Sequence, residues 1–213
     1  MAASAPLAIV DTRCANLASV VFALERLGVE PLVTADAGEL RAAGRVLLPG
    51  VGTAGAAMRE LERLGLPDVL RSLRQPVLGI CLGMQLLTRE SEESRLESGQ
   101  NQPCLGVVDA VTRRMDAGGL TLPHMGWNRL DVARPSPLLA GLDGAYVYYV
   151  HGYAVPPGPA TLAGTNYGGP FSAVLGQGNF FGAQFHPERS GPAGARLLRN
   201  FLELNAQQEA GPC

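Results

Sequence analysis

Cys81 lies at the centre of QPVLGICLGMQLL (75–87), where an apolar run suited to a strand ends on the cysteine and a helical pattern starts at the next residue. Gly79 and Gly83 stand two residues to either side, the spacing of a nucleophile elbow with a thiol in place of the usual hydroxyl. So sharp a strand-to-helix turn brings neighbouring backbone too close for a Cβ, which explains the glycines. The turn carries the sulfur to the carboxyl end of a sheet, where α/β proteins place their ligands. There it meets a helix N-terminus, whose partial positive charge favours thiolate. A free cysteine is more commonly an inert core residue; the flanking glycines favour the elbow here.

A thiol nucleophile needs a base, and the base needs an orienting group. The chain has three histidines, His124, His151 and His186. His186 follows a strand-like run in FFGAQFHPERS (180–190), and Glu188, two residues on, points the same way if the link is extended. Pro187 stiffens that link, so Glu188 can accept a hydrogen bond from the imidazole. H-x-E alone usually marks a surface turn. After a strand, in a chain that also carries a cysteine elbow, it is the best base candidate. Acyl transfer also needs donors for an oxyanion. LLPGVGT (47–53) follows a strand, and its N–H groups near Gly50, Val51 and Gly52 can face such a charge. An ordinary βα turn fits that spacing equally well.

The scaffold that would position these groups alternates strand and helix through the first half. LAIVD (7–11) reads as a buried strand, and Leu17, Val20, Val21, Leu24 and Leu27 fall at helical spacing before the C-cap candidate Gly28. Strand Glu30–Thr34, helix Asp36–Ala43, strand Arg45–Leu48, helix Ala54–Leu64, helix Pro67–Arg74, strand Val77–Ile80 and helix Leu82–Arg89 follow. Repeated βα units require a mainly parallel sheet with helices on both faces, so the fold class is α/β. The second half is strand-rich, with candidates at Arg129–Val132, Tyr146–Val150, Thr161–Thr165, Ala173–Gln177 and Phe180–Gln184. A last helix carries Leu197, Leu198, Phe201 and Leu202, and residues 206–213 read as a frayed tail. The mixed-charge stretch Arg89–Glu97 reads as solvated surface. No linker or repeat divides the chain, so 1–213 reads as a single domain.

Composition excludes several classes. With 46% hydrophobic and 17% charged residues and a net charge of -2, the chain reads as a globule without the basic stripe a nucleic-acid binder needs. No stretch approaches the ~20 apolar residues of a membrane span, and MAASAPLAIVD lacks the basic and apolar regions of a signal peptide. Cys14, Cys81, Cys104 and Cys213 have neither metal-ligand spacing nor a disulfide framework. The expectation is a reduced, cytoplasmic protein without membrane or nucleic-acid partners.

LPGVGT (48–53), GICLGMQLL (79–87) and GAQFHPERSG (182–191) together resemble the class I glutamine amidotransferases, the Cys–His–Glu family. The similarity runs from Asp11 to about Glu203, and HMGWN (124–128) resembles the branch that serves imidazole glycerol phosphate synthase in histidine biosynthesis. The resemblance implies that fold, with L-glutamine as substrate and no cofactor or metal. Cys81 would form a glutamyl thioester, His186 would protonate departing ammonia and then activate water, and Glu188 would hold the imidazole. Gly52 and Gln85 match positions near bound glutamine. Trp127, Tyr148 and Arg189 match positions facing a cyclase barrel subunit, with which the chain would form a heterodimer producing imidazole glycerol phosphate and AICAR. One base suffices, so His124 and His151 read as structural or interface-lining.

The first loop departs from the family pattern: DTRCANL (11–17) has Arg13 where a glycine is usual, which alters the expected loop shape. Chemistry also asks for a partner, because ammonia released at neutral pH becomes ammonium unless it is shielded. Two other readings stay open on sequence alone. One is a glutaminase of the vitamin B6 or guanylate pathway; the other is a non-catalytic binding module on the same fold.

Overall fold

The computed structural model describes residues 6–12, 17–94 and 96–204. Its first half runs β1 (Leu7–Val10), α1 (Leu17–Glu25), β2 (Leu32–Thr34), α2 (Ala37–Ala42), β3 (Arg45–Gly50), α3 (Ala54–Arg63), α4 (Pro67–Ser72), β4 (Val77–Cys81) and α5 (Leu82–Leu87). Then come β5 (Glu90–Ser91), β6 (Gln102–Pro103), β7 (Val111–Arg114), β8 (His124–Arg129), β9 (Asp131–Val132), β10 (Tyr146–His151) and β11 (Tyr153–Ala154). β12 (Thr161–Asn166), β13 (Pro170–Gln177), β14 (Phe180–Ala183) and α6 (Gly191–Glu203) complete the chain, with 3-10 turns at Pro137–Leu139 and Pro187–Arg189.

Eight strands form the central sheet in the order β2-β1-β3-β4-β14-β13-β12-β9. The first five are mutually parallel and the last three are added antiparallel, so the sheet is mainly parallel as the βα repeats required. Period-two alternation sends Leu7 and Ile9 to one face of β1, against α1 and α6, and Ala8 and Val10 to the other, against α2 to α5. Both faces are therefore dry, which is why the parallel strands read as continuous apolar runs. The expected glycine stop at Gly28 closes as a Schellman motif, in which Val29 N–H donates to Leu24 and Gly28 N–H to Glu25, and Leu66 to Leu61 with Gly65 to Glu62 repeats the pattern after α3.

Several expectations need correction. The expected strand Arg129–Val132 is split at Leu130: β8 ends at Arg129 and pairs with β10 in a separate ribbon, while β9 pairs with β12 on the main sheet. β8 itself escaped notice because HMGWN contains residues of low strand propensity, including Gly126 at φ +141°. Helix α5 stops at Leu87, because Thr88 turns extended and its hydroxyl donates to the Gln85 carbonyl. The stretch 89–97 is not simply solvated surface: it contributes β5, with Ser91 fully buried, to a small sheet ordered β11-β7-β5-β6. The expected tail at 206–213 and the Arg13 loop lie outside the described residues. Among the described residues no helix is long and apolar enough to cross a membrane.

Candidate active site

β3 and β4 lie side by side in parallel with Gly50 opposite Cys81, so the glycine-rich loop and the cysteine leave the same edge of the sheet together. Cys81 has φ 53° and ψ -109°, and it is the one non-glycine with positive φ among the described residues. Such a conformation costs about 1–3 kcal/mol and persists only where the surroundings enforce it. The surroundings here are tight. A Cβ on Gly79 would stand 2.6 Å from the Gly83 carbonyl, and one on Gly83 would stand 1.7 Å from the Leu48 oxygen. The elbow read from the glycine spacing is present.

β14 is the parallel neighbour of β4 on its other side, with Ala183 opposite Ile80, so the chain leaving β14 also arrives beside Cys81. His186 Nδ1 donates to Glu188 Oε1 at 2.8 Å, and the two side chains are only 14% and 8% exposed. A carboxylate only accepts, so the proton is on Nδ1 and Nε2 remains for chemistry. Burial lowers the imidazole's affinity for a proton, but hydrogen bonds and charge from Cys81 and Glu188 outweigh it and raise the His186 pKa to about 10. Cys104 provides the contrast: burial, reinforced by the charges of Glu90 and Glu93, pushes its thiol up to about 12, as expected of an inert cysteine.

A cavity of about 220 Å³ opens at this edge. Ligand pockets for drug-sized molecules run roughly 300–1,000 Å³, so this one suits something no larger than an amino acid. Gly50, Val51 and Gly52 form one wall, with Gly52 at φ +91°, and Cys81, Gln85 and His186 form another. Gln85 is buried; its Nε2 donates to the Tyr153 carbonyl at 3.0 Å and to Gln184 Oε1 at 3.1 Å. Gln184 Nε2 in turn lies 3.8 Å from the Cys81 sulfur, which also lies 3.8 Å from the Val150 carbonyl. Every catalytic and glutamine-site candidate from the sequence is thus gathered at one place. Among the described residues no group of three or more acidic, histidine or cysteine side chains could hold a metal ion.

Three polar residues of the lining, Glu93, His151 and Tyr153, were not assigned to the site from the sequence. Glu93 was hidden in the charged stretch, but its carboxylate accepts from Ala54 N at 2.7 Å and faces the cavity. His151 and Tyr153 also line it. Their signal was available only in part: β10 alternates buried Val147, Tyr149 and His151 with outward Tyr146 and Tyr148, which places His151 inside but not beside a nucleophile.

Trp127, Tyr148 and Arg189 meet on the outer side of the ribbon. The Trp127 and Tyr148 rings stand edge to face at 5.9 Å, and the Arg189 guanidinium sits 5.1 Å from the Tyr148 ring centre. Trp127 is 54% exposed and Met125 64%, an apolar patch of the kind that marks protein interfaces.

What this edge can perform is acyl transfer through sulfur, and the fold beneath it is that of an α/β cysteine amidohydrolase. The model of the family described as glutamine amidotransferase class-I matches residues 9–204. The imidazole glycerol phosphate synthase subunit HisH of Idiomarina loihiensis is 55% identical over 196 residues, covering 92% of this chain and 96% of that one. The same subunit of Escherichia coli K12 is 52% identical over 197 residues, covering 92% and 98%. A crystal structure of a glutamine amidotransferase superimposes with a TM-score of 0.69 at 23% identity, over 92% of this chain and 97% of that one, which supports the fold alone. The chain belongs to the class I glutamine amidotransferases and, within them, to the HisH subunits of imidazole glycerol phosphate synthase.

Proposed function

We propose that the chain is the glutaminase subunit of an imidazole glycerol phosphate synthase, a single cytoplasmic domain that supplies ammonia to a cyclase barrel in a heterodimer. The observation that carries the catalytic part is the 2.8 Å His186–Glu188 bond beside a cysteine held at positive φ. Thiolate sulfur attacks the side-chain carbonyl carbon of glutamine, and the N–H groups of the Gly50–Gly52 loop take the oxyanion. The carbon–nitrogen bond then breaks, His186 Nε2 gives its proton to the departing nitrogen, and ammonia leaves a thioester on Cys81. Water attacks the thioester, His186 takes a proton from it, and glutamate is released as the thiolate returns.

The electrostatics suit this order. Part of what raises the His186 pKa to about 10 is the Cys81 charge, which disappears when sulfur becomes acylated. The imidazolium therefore becomes a stronger acid at the stage when the leaving nitrogen needs its proton. Glu93, at the cavity wall, offers a carboxylate for the α-ammonium of the substrate, and Gln85 offers its amide. The Trp127–Tyr148–Arg189 patch supplies the cyclase contact, and docking there shields ammonia from solvent protons.

The test is glutamine hydrolysis by the chain alone and with an imidazole glycerol phosphate cyclase bound to its nucleotide ligand. The chain alone is expected to be nearly inactive, because a population shift in the Gly50–Gly52 loop is left to the partner. Full activity without the partner would remove the case for that switch, and failure to co-purify with the cyclase would remove the partner.

A further inference from the structure

The glutaminase reading uses one histidine, yet the other two are buried side by side, 2% and 6% exposed for His124 and His151, with His151 in the cavity wall. Their hydrogen bonds can be assigned atom by atom. His151 Nδ1 lies 2.9 Å from the Tyr153 carbonyl, which only accepts, so Nδ1 carries the proton and Nε2 of a neutral ring is an acceptor. His124 Nδ1, 3.2 Å from that Nε2, must then be the donor, and His124 Nε2 accepts from Asn128 Nδ2 at 3.5 Å. Burial keeps both rings neutral, as this assignment requires. His124 cannot swing away, because it is stacked between Tyr149 at 4.8 Å and Tyr167 at 4.0 Å.

The chain of bonds continues into the glutamine pocket. The Tyr153 carbonyl that receives the His151 proton also receives Gln85 Nε2 at 3.0 Å, and the second Nε2 proton goes to Gln184. Both amide protons of Gln85 are thereby committed, so what it offers a ligand is its Oε1. At the other end, His124 and Asn128 lie on β8 and flank Trp127 of the exposed patch, while His151 is the cross-strand partner of His124 on β10.

We propose that His151, held by His124, is a positioning pair for glutamine: it pins the Tyr153 carbonyl, fixes the orientation of the Gln85 amide, and ties that amide to the ribbon carrying Trp127 and Tyr148. The proposal rests on the glutaminase reading and adds that substrate affinity depends on two residues that make no chemical step. A shift of the ribbon moves the pair and with it the acceptor presented to substrate.

The experiment compares His151→Phe with His151→Asn, and His124→Phe with His124→Asn, in the assembled synthase. Phenylalanine keeps ring volume and removes the donor; asparagine keeps a donor near the Nδ1 position. Each Phe variant is expected to raise KM for glutamine roughly three- to tenfold, the scale of one lost hydrogen bond, with a smaller change in kcat. The Asn variants should recover most of that loss. Co-elution of each variant with the cyclase on size-exclusion chromatography reports assembly. Unchanged KM in His151→Phe, or equal impairment in the Phe and Asn variants, overturns the proposal in favour of plain packing. If a variant fails to assemble, nitrogen-resolved imidazole spectra of the unmodified complex decide instead. Both rings neutral with the proton on Nδ1 is the expected result, and a proton on His151 Nε2 overturns it. An unmodified complex that hydrolyses no glutamine would sink the glutaminase reading, with the ring tautomers still deciding the hydrogen-bond chain.

Discussion

The backbone amide of His186 donates to the carbonyl of Tyr148 at 3.0 Å, so the proposed base and the outer ribbon share a hydrogen bond. Ser190 doubles the link: its hydroxyl donates to the His186 carbonyl at 2.7 Å and accepts from Tyr148 N at 2.9 Å. Tyr148 also carries the Arg189 guanidinium on its ring, one residue from Glu188. Any movement of the ribbon would therefore be passed to the imidazole through covalent neighbours and short bonds.

His186 and Glu188 should act as a unit of unequal weight. His186→Ala removes the proton carrier and should cost roughly 10²–10⁴-fold in kcat/KM for glutamine. Glu188→Gln should cost less, and the double variant should fall far short of the product of the two losses. The pH profile adds a sign. The His186 pKa is about 10, above its unfolded value, so the proton is held at neutral pH and lost as pH rises through about 10. The alkaline fall of kcat/KM should lie there, and Glu188→Gln should move it to lower pH because a group that raises the value is gone. The same shift contributes stability fully present below about pH 6.5 and lost as pH rises through the folded value. Full activity in His186→Ala would show that the wrong histidine has been assigned.

Glu93→Gln tests the substrate end of the cavity. Glutamine keeps an acceptor for Ala54 N, where the carboxylate now bonds at 2.7 Å, but carries no charge for an α-ammonium. KM for glutamine should rise roughly tenfold, the scale of one charge-assisted hydrogen bond, with kcat changing less. Burial raises the Glu93 pKa, opposed by the Ala54 bond, so glutamine binding should weaken with falling pH from above the ordinary carboxylate value. The variant should lack that acid limb. An unchanged KM would remove Glu93 from substrate recognition.

Two glycines at the site should respond differently to alanine. At Gly83 a Cβ would stand 1.7 Å from the Leu48 oxygen, so backbone must move and the elbow cannot close. Gly83→Ala should lower Tm markedly, together with activity. At Gly52 a Cβ would meet nothing within 4 Å, and the penalty comes from φ +91° alone. Gly52→Ala should fold and bind its partner but lose kcat, since it biases the loop proposed to face the oxyanion. Thermal melts and glutaminase assays on both variants check this, and equal Tm values for the two would contradict it.

The elbow was legible in the sequence because its constraint is local: two glycines, an apolar strand and a helix lie within thirteen residues. His186 and Glu188 were legible for the same reason, being two residues apart after a strand. Glu93 was not, because its meaning depends on the N-terminus of α3, 39 residues earlier in the chain. Nor was the ribbon: β8 pairs with β10 only after the chain has visited the main sheet through β9, and neither Gly126 nor Asn128 advertises a strand. Composition and periodicity give elements and faces, but long-range pairing decides which polar residues end beside the sulfur.

The most direct test of the whole account replaces the sulfur and supplies its product. Cys81→Ala in the complex with the cyclase should retain assembly and ammonia-dependent synthesis at the unmodified rate, while glutamine-dependent synthesis and glutamate release fall to background. Both activities and co-elution with the cyclase should be measured on one preparation, since the co-elution separates misfolding from loss of the nucleophile. Glutamate release by Cys81→Ala above a small fraction of the unmodified rate would contradict the central claim, because no other group at this edge of the sheet has been assigned to attack glutamine.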